Sequence, residues 1–189
     1  MLRDLILKNR SYRRFYQDVG IPRDTLRGLV DLARHSASAS NLQPLKYILV
    51  CAPERNAAVF AQLSWAYYLK DWRGPEEGER PSAYIIILGD TEIKKSFGCD
   101  HGIAAQSILL GAVEQGLGGC IFGSIKRKAL RAAFDIPNHY DILLVLALGK
   151  PKEQVVIDPV GTDGNIAYWR DADGVHHVPK RALDTIIIG

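Results

Sequence analysis

The chain has little of several things that often reveal a function. It has one methionine and three cysteines among 189 residues, and Cys51, Cys99 and Cys120 stand far apart without a C-x-x-C pair. That spacing excludes the common zinc and redox motifs, so we expect buried free thiols. No apolar run approaches the roughly 20 residues that cross a bilayer, which excludes a membrane span. The start, Met1–Leu5, lacks a signal-peptide pattern, so we expect a cytoplasmic protein.

The chain also lacks a large excess of charge of either sign. The formal net charge is +3 and the basic residues are scattered, so the sequence only weakly favours small anionic ligands and predicts no nucleic-acid partner. The five histidines show no metal-ligand spacing, and we expect no metal site. Neither a nucleophile with its base nor a pair of carboxylates is evident, so no catalytic side chain is predicted.

What is present is the pattern of one globular domain. The length predicts a single domain over residues 1–189, in which residues 152–189 form a carboxy-terminal extension. The patterns predict helices at residues 2–8, after Pro22, at 103–117 and at 126–134, and strands at Tyr47–Cys51, Ala83–Leu88, Cys120–Phe122 and Ile142–Leu148. Buried strands interleaved with helices predict an α/β or α+β sheet with helical covers. Because nearly every face of residues 103–117 is apolar, we expect that helix to be enclosed on all sides.

The end of the chain carries one more apolar segment, Thr185–Ile188, some 35 residues beyond the predicted core. Such a segment can leave its own subunit and add a strand to the sheet edge of a partner. It can equally return as an edge strand of its own sheet. The pattern favours neither.

Two stretches carry candidate binding residues. Arg10, Ser11 and Arg13 place two guanidiniums around a hydroxyl, which suits a phosphate, although a solvated basic turn has the same composition. The stretch Ser36–Pro44 combines small residues with Asn and Gln amides, which suits the edge of a flat heterocycle such as a flavin. A Ser/Asn loop that ends a helix is the alternative.

Two further segments bear on ligand binding. Gly116 and Gly118 follow a helix and precede a strand, which is the reverse of the dinucleotide fingerprint, so we interpret them as a helix stop. Any function there is expected in the backbone beyond, at Phe122–Ser124. The aromatic residues between Trp65 and Trp72 precede a charged, glycine-bearing loop and predict either a lid over a planar ring or a part of the core.

Taken in order, these pieces resemble the FMN-dependent nitroreductase family. The likeness covers roughly residues 3–151, with a weaker echo at Val178–Leu183. It is carried by Arg10–Phe15, Ile21–Pro22, Ser38–Pro44, Gly102–Gln106, Glu114–Gly118, Ile136–Pro137 and Ala147–Pro151. The sequence departs from the family pattern at Leu45, where tryptophan is common, and at Ala37, where proline is common.

The resemblance implies an α+β, nitroreductase-like fold. It implies a central, mainly antiparallel sheet flanked by helices, and a homodimer whose subunits exchange carboxy-terminal arms. It implies FMN as cofactor, bound at the subunit interface. The implied cofactor-binding residues of one subunit are Arg10, Ser11, Arg13, Phe122, Gly123, Ser124, Lys180 and Arg181, and those of its partner are Ala37, Ser38, Ala39 and Asn41.

The same resemblance implies an oxidoreductase that uses NAD(P)H. FMN carries the redox chemistry, so the protein need supply no acid–base pair. We expect ping-pong hydride transfer to an electron-poor acceptor, either nitroaromatic or quinone-like. The alternatives are a specialised relative, such as a dehalogenase or a flavin-modifying enzyme, and an FMN-binding dimer without turnover.

Overall fold

The computed structural model describes residues 1–189. The helices are α1 (Leu2–Lys8), α2 (Arg23–Arg34), α3 (Pro53–Phe60), α4 (Asp100–Glu114) and α5 (Arg127–Ala133). The strands are β1 (Phe15–Tyr16), β2 (Leu45–Val50), β3 (Ala83–Asp90), β4 (Gly118–Phe122), β5 (Tyr140–Pro151), β6 (Val155–Pro159), β7 (Trp169–Arg170) and β8 (His176–Lys180). All the helices and strands predicted over residues 1–151 are therefore present, with ends shifted by a few residues.

The main sheet has five antiparallel strands. Its order is β1-β5-β3-β2, and β4 also pairs with β5. β2 forms one free edge of this sheet, because it pairs with β3 alone. The architecture confirms the expected α+β fold with a mainly antiparallel central sheet.

Two apolar layers cover the sheet. One layer packs α2 and α4 on the side of Ile85 and Ile87, and the other packs α3 and α5 on the side of Tyr84 and Ile86. Every residue of β3 is buried, because side chains on both of its faces meet a helical layer. This is why the strand has a continuous apolar sequence instead of an alternating one.

The carboxy-terminal extension folds into a second, smaller sheet that the sequence did not predict. β8 lies in its centre, pairing in parallel with β6 and antiparallel with β7. Strands as short as Trp169–Arg170, in a segment rich in glycine and polar residues, show no usable alternation.

One open alternative is excluded, and two expectations were wrong, for the single chain. Ile186–Ile188 does not return as an edge strand; it follows a short 3₁₀ turn and is exposed. Helix α4 is not enclosed on all sides, since Ile103 is 39% exposed and Gln106 beside it is also exposed. The cysteines are unpaired, but only Cys120 is buried, whereas Cys99 is exposed. Periodicity shows that a helix or strand has an apolar face, but it does not show whether residues of this chain or of another chain cover that face.

Candidate functional site

The predicted basic turn lies against strand β4. Ser11 forms a parallel bridge with Gly119, and the N–H of Tyr12 donates to the Gly119 carbonyl oxygen at 3.0 Å. Phe122 ends the same strand three residues later. The structure therefore brings Arg10–Arg13 alongside the strand that leads to Phe122–Ser124, two of the segments predicted to share a site.

The chain leaves hydrogen-bond donors unused here. The backbone N–H groups of Gly123 and Ser124 donate to no other group of the chain. A side chain at Gly123 would meet no atom within 4 Å, so this backbone is open to a ligand. Arg10 donates from Nη2 to the Ile6 carbonyl at 2.7 Å, while its buried Nε has no partner.

The thiol of Cys120 lies behind this turn. Burial raises the pKa of Cys120, although Arg13 and a hydrogen bond with Ser11 oppose the shift. The group is therefore a neutral thiol at pH 7 and no candidate nucleophile.

Arg13 is held by residues of the extension. Its Nη1 lies 3.1 Å from Nε2 of His176, and its guanidinium carbon lies 4.7 Å from the centre of the Tyr168 ring. The Glu153 side chain, fully buried, accepts hydrogen bonds from the backbone N–H of Arg13 and of Arg14. Its other oxygen accepts from Nη2 of Arg170 at 2.9 Å.

Sequence reasoning missed Glu153, Tyr168 and His176. A lone glutamate in a polar segment carries no sign that it will be buried. The histidines were assessed only for metal-ligand spacing. The available signal was that adjacent residues of a strand point to opposite faces, so that one ring of the pair His176–His177 is directed inward and the other outward.

The second predicted group lies at the other end of α4. The hydroxyl of Ser38 donates to Oδ2 of Asp100 at 2.7 Å, and the N–H of Ala39 donates to Oδ1 at 3.1 Å. Burial raises the pKa of Asp100, but the hydrogen bonds from Ser38 and Ala39 outweigh it and hold that pKa below its ordinary value. The buried carboxylate thus fixes the start of the loop.

The rest of this loop is strained and faces solvent. Ser40, Asn41 and Gln43 have φ of 53°, 54° and 50°, a left-handed conformation that non-glycine residues seldom adopt. Ala37 and Asn41 are exposed. Strained backbone of this kind persists where the surroundings impose it, often at ligand sites.

The two groups do not meet within one chain. Ser38 is tied to Asp100 at the first turn of α4, whereas Ser11 lies beside Gly119, beyond its last turn. A helix of 15 residues is about 22 Å long. One chain therefore presents two half-sites.

Lys180 and Arg181 stand apart from the basic turn. Both are exposed, and neither side chain makes a hydrogen bond or an ion pair. Lys180 lies four residues beyond His176 on β8, which is about 13 Å along a strand. The structure does not bring them to Arg10 or Ser11.

The aromatic segment divides between the two predicted roles. Trp65 belongs to the core, where it packs on Phe122 with ring centres 4.6 Å apart. Tyr67 is 85% exposed. Tyr68 meets the extension, since its N–H donates to the hydroxyl of Tyr168 at 3.3 Å. The outer part of the segment is thus exposed at Tyr67 and joined to the extension at Tyr68, and its role as a lid stays a prediction.

No helix in the structure combines the length and the hydrophobicity that crossing a membrane requires. No three or more side chains of His, Cys, Asp or Glu are grouped so that they could hold a metal ion.

Comparison with known proteins places this geometry in context. A protein of Methanothermobacter thermautotrophicus named "Putative NADH dehydrogenase/NAD(P)H nitroreductase" is 30% identical over 154 residues, covering 78% of this chain and 76% of that protein. Among solved structures, an FMN-dependent nitroreductase of Clostridium difficile R20291 matches with a TM-score of 0.64 at 23% identity, over 78% of this chain and 87% of the other. A nitroreductase family protein of Streptococcus pneumoniae TIGR4 matches with a TM-score of 0.73 at 16% identity, over 100% of both chains.

The family model described as the Nitroreductase family matches residues 6–150. That range includes both predicted half-sites and all of the main sheet except Pro151, but not the extension. The fold of the solved structures agrees with it. The chain therefore belongs to the nitroreductase family, and the protein is an oxidoreductase.

Proposed function

We propose that this protein is an NAD(P)H-dependent FMN oxidoreductase that works as a homodimer. The observation that carries the proposal is the basic turn Arg10–Arg13, which lies alongside strand β4, and that strand leads to the unused N–H donors of Gly123 and Ser124. The names of the relatives support the choice of NAD(P)H and FMN, since one names NAD(P)H and another is FMN-dependent. Bound FMN would accept a hydride from NAD(P)H and then reduce a nitroaromatic or quinone-like acceptor in a ping-pong cycle.

The donor set fits a flavin nucleotide. Arg10, whose buried Nε has no partner, and the hydroxyl of Ser11 would hold the phosphate. Arg13 would place its positive charge at the pyrimidine edge, where negative charge develops on reduction. The N–H groups of Gly123 and Ser124 would donate to the N5 side of the ring. These roles require binding and charge stabilisation, which explains why no catalytic side chain is needed.

A homodimer would unite the two half-sites. The exposed face of α4 around Ile103 and the exposed Ile6 of α1 offer an apolar surface for a second copy. In such a dimer the loop Ala37–Asn41 of one subunit would cover the flavin held by the other. Dimerisation would then be a condition of cofactor binding.

The exposed end of the chain supports the exchange of arms. Ile186, Ile187 and Ile188 are exposed and pair with nothing in their own chain. A partner's free β2 edge would supply the hydrogen bonds that this segment lacks. Lys180 and Arg181 would be part of the exchanged arm and would add positive charge near the phosphate of FMN.

Flavin binding by the purified protein is the first test. We expect a yellow protein that bleaches on anaerobic addition of NADH or NADPH, and a double change, Arg10→Ala with Arg13→Ala, that weakens FMN binding by about 3 kcal/mol. The matched control, Arg27→Ala with Lys128→Ala, removes two exposed charges outside the turn and should bind FMN as the wild type does. A protein that binds FMN without bleaching would be a binder and not a reductase; one that binds no FMN would overturn the proposal.

Mixed dimers test the sharing of the site. Asn41→Asp is isosteric, tolerates the left-handed φ of this position, and would bring a negative charge to the anionic cofactor. The double arginine variant and Asn41→Asp should each lose FMN binding when tested alone. When the double arginine variant and Asn41→Asp are mixed and allowed to exchange subunits, the heterodimer should regain one FMN per dimer. No recovery would show that turn and loop of the same chain form each site.

A further inference from the structure

The guanidinium of Arg13 is engaged on one edge only. Nη1 contacts Nε2 of His176 at 3.1 Å and the carbonyl oxygen of Ser11 at 3.3 Å. Both contacts are made by Nη1, so the three N–H donors of Nε and Nη2 remain on the other edge. The extension therefore fixes one side of the group and leaves the opposite side for a ligand.

His176 must be neutral to do this. Its side chain is fully buried, and burial together with the charges of Arg13, Arg170 and His177 lowers the pKa of His176 to about 4. With Nε2 accepting from Arg13, the proton stands on Nδ1, which is buried without a partner. An unpaired buried donor costs stability, so stability alone does not explain a histidine here.

Tyr168 fixes the plane of the same guanidinium. Its ring lies under Arg13 and also meets the ring of His176, with centres 5.2 Å apart. Its hydroxyl accepts the N–H of Tyr68, which belongs to the aromatic segment. One face and one edge of Arg13 are thus set by residues that lie more than 150 positions away in the sequence.

We infer that His176 is a positioning residue, which aims Arg13 at the pyrimidine edge of the flavin and so helps to set the reduction potential of the cofactor. The inference rests on the proposed function, and it concerns residues outside the range matched by the family model. His176 does not touch the flavin; it acts through the direction in which Arg13 presents its remaining donors.

The reduction potential of bound FMN measures this role. His176→Phe keeps a planar ring without an acceptor, and His176→Asn is too short to reach Arg13, so each should destabilise the reduced flavin about tenfold, equivalent to about 30 mV for a two-electron couple. His176→Gln restores an acceptor and should recover most of the shift. His177→Gln is the matched control, because that ring faces Asp158 and Asp171 instead of Arg13.

A double-mutant cycle separates positioning from a general structural effect. In an Arg13→Gln background, His176→Phe or His176→Asn should leave the potential unchanged, since the group through which His176 acts is absent. Variants that bind FMN with the wild-type potential would overturn the inference, as would an equal shift in both backgrounds. A wild-type protein that binds no FMN would instead overturn the proposed function, so the two failures are distinct.

Discussion

The main sheet and the extension are built on different physical principles. The centre of the main sheet is entirely apolar, with every residue of β3 buried between two helical layers. The extension has almost no apolar core, and it is fastened to the domain by the buried Glu153 carboxylate and by the stacking of Tyr168 on Arg13. The burial of a large apolar area stabilises the main sheet, and such packing tolerates small displacements of side chains. The few hydrogen bonds of the extension instead fix the orientation of particular groups, and they do not tolerate such displacements.

The largest effect is expected in the main sheet. Ile86→Ala removes a side chain that is 0% exposed and should lower the free energy of unfolding by about 3 kcal/mol. Ile157→Ala, in β6 and 41% exposed, is the control and should cost less than about 1 kcal/mol. Urea denaturation measures both. Equal losses would contradict the view that apolar burial in the main sheet carries most of the stability.

The attachment of the extension should be weaker and local. Glu153→Gln keeps the shape but removes the charge that accepts from Arg13, Arg14 and Arg170, and should cost about 2 kcal/mol. Hydrogen exchange should accelerate in β6–β8 while the amides of β3 keep their protection. Glu77→Gln removes a surface ion pair with Arg80, while its amide oxygen can still accept from Gln17, and it serves as the control. A uniform loss of protection would show that the two regions unfold as one.

The smallest effect is a pair of opposite pH dependences within the extension. The pKa of His176 is lowered to about 4, so its contribution to stability is complete above pH 6.5 and is lost as the pH falls towards 4. Asp158 and Asp171 raise the pKa of His177, so its contribution is present below pH 6.5 and is lost as the pH rises through the raised value. The denaturation midpoint, measured from pH 4 to pH 9, should therefore depend less on pH at acid values in His176→Asn. In His177→Gln it should depend less on pH at alkaline values. The same change on both sides would exclude separate roles for the neighbours.

The sequence was sufficient for most of the main domain. The apolar run Ala83–Leu88 predicted a buried strand and the pattern after Pro22 predicted a helix, and the structure confirms both. The juxtaposition of the Arg10–Arg13 turn with Phe122–Ser124 came from the family likeness, since the two lie more than 100 residues apart. Periodicity describes single elements and not which of them become neighbours.

The extension could not be predicted in the same way. Its strands are short, and its position depends on Glu153, whose carboxylate accepts from Arg170 of the extension itself and from the distant backbone of Arg13 and Arg14. Ile186–Ile188 is apolar, as its sequence shows, but its own chain does not bury it. Local periodicity does not show which distant residues will contact such a segment.

The contact between Arg13 and His176 spans 163 positions of sequence, and this sets an order of events during synthesis. β8, the central strand of the small sheet, is also the last strand to be made. At the usual pace of translation, Arg13 waits on the order of ten to thirty seconds before His176 is joined to the chain. The basic turn can take up its contacts with the extension only after that addition. Arg13 is thus made long before the residues that hold it in place.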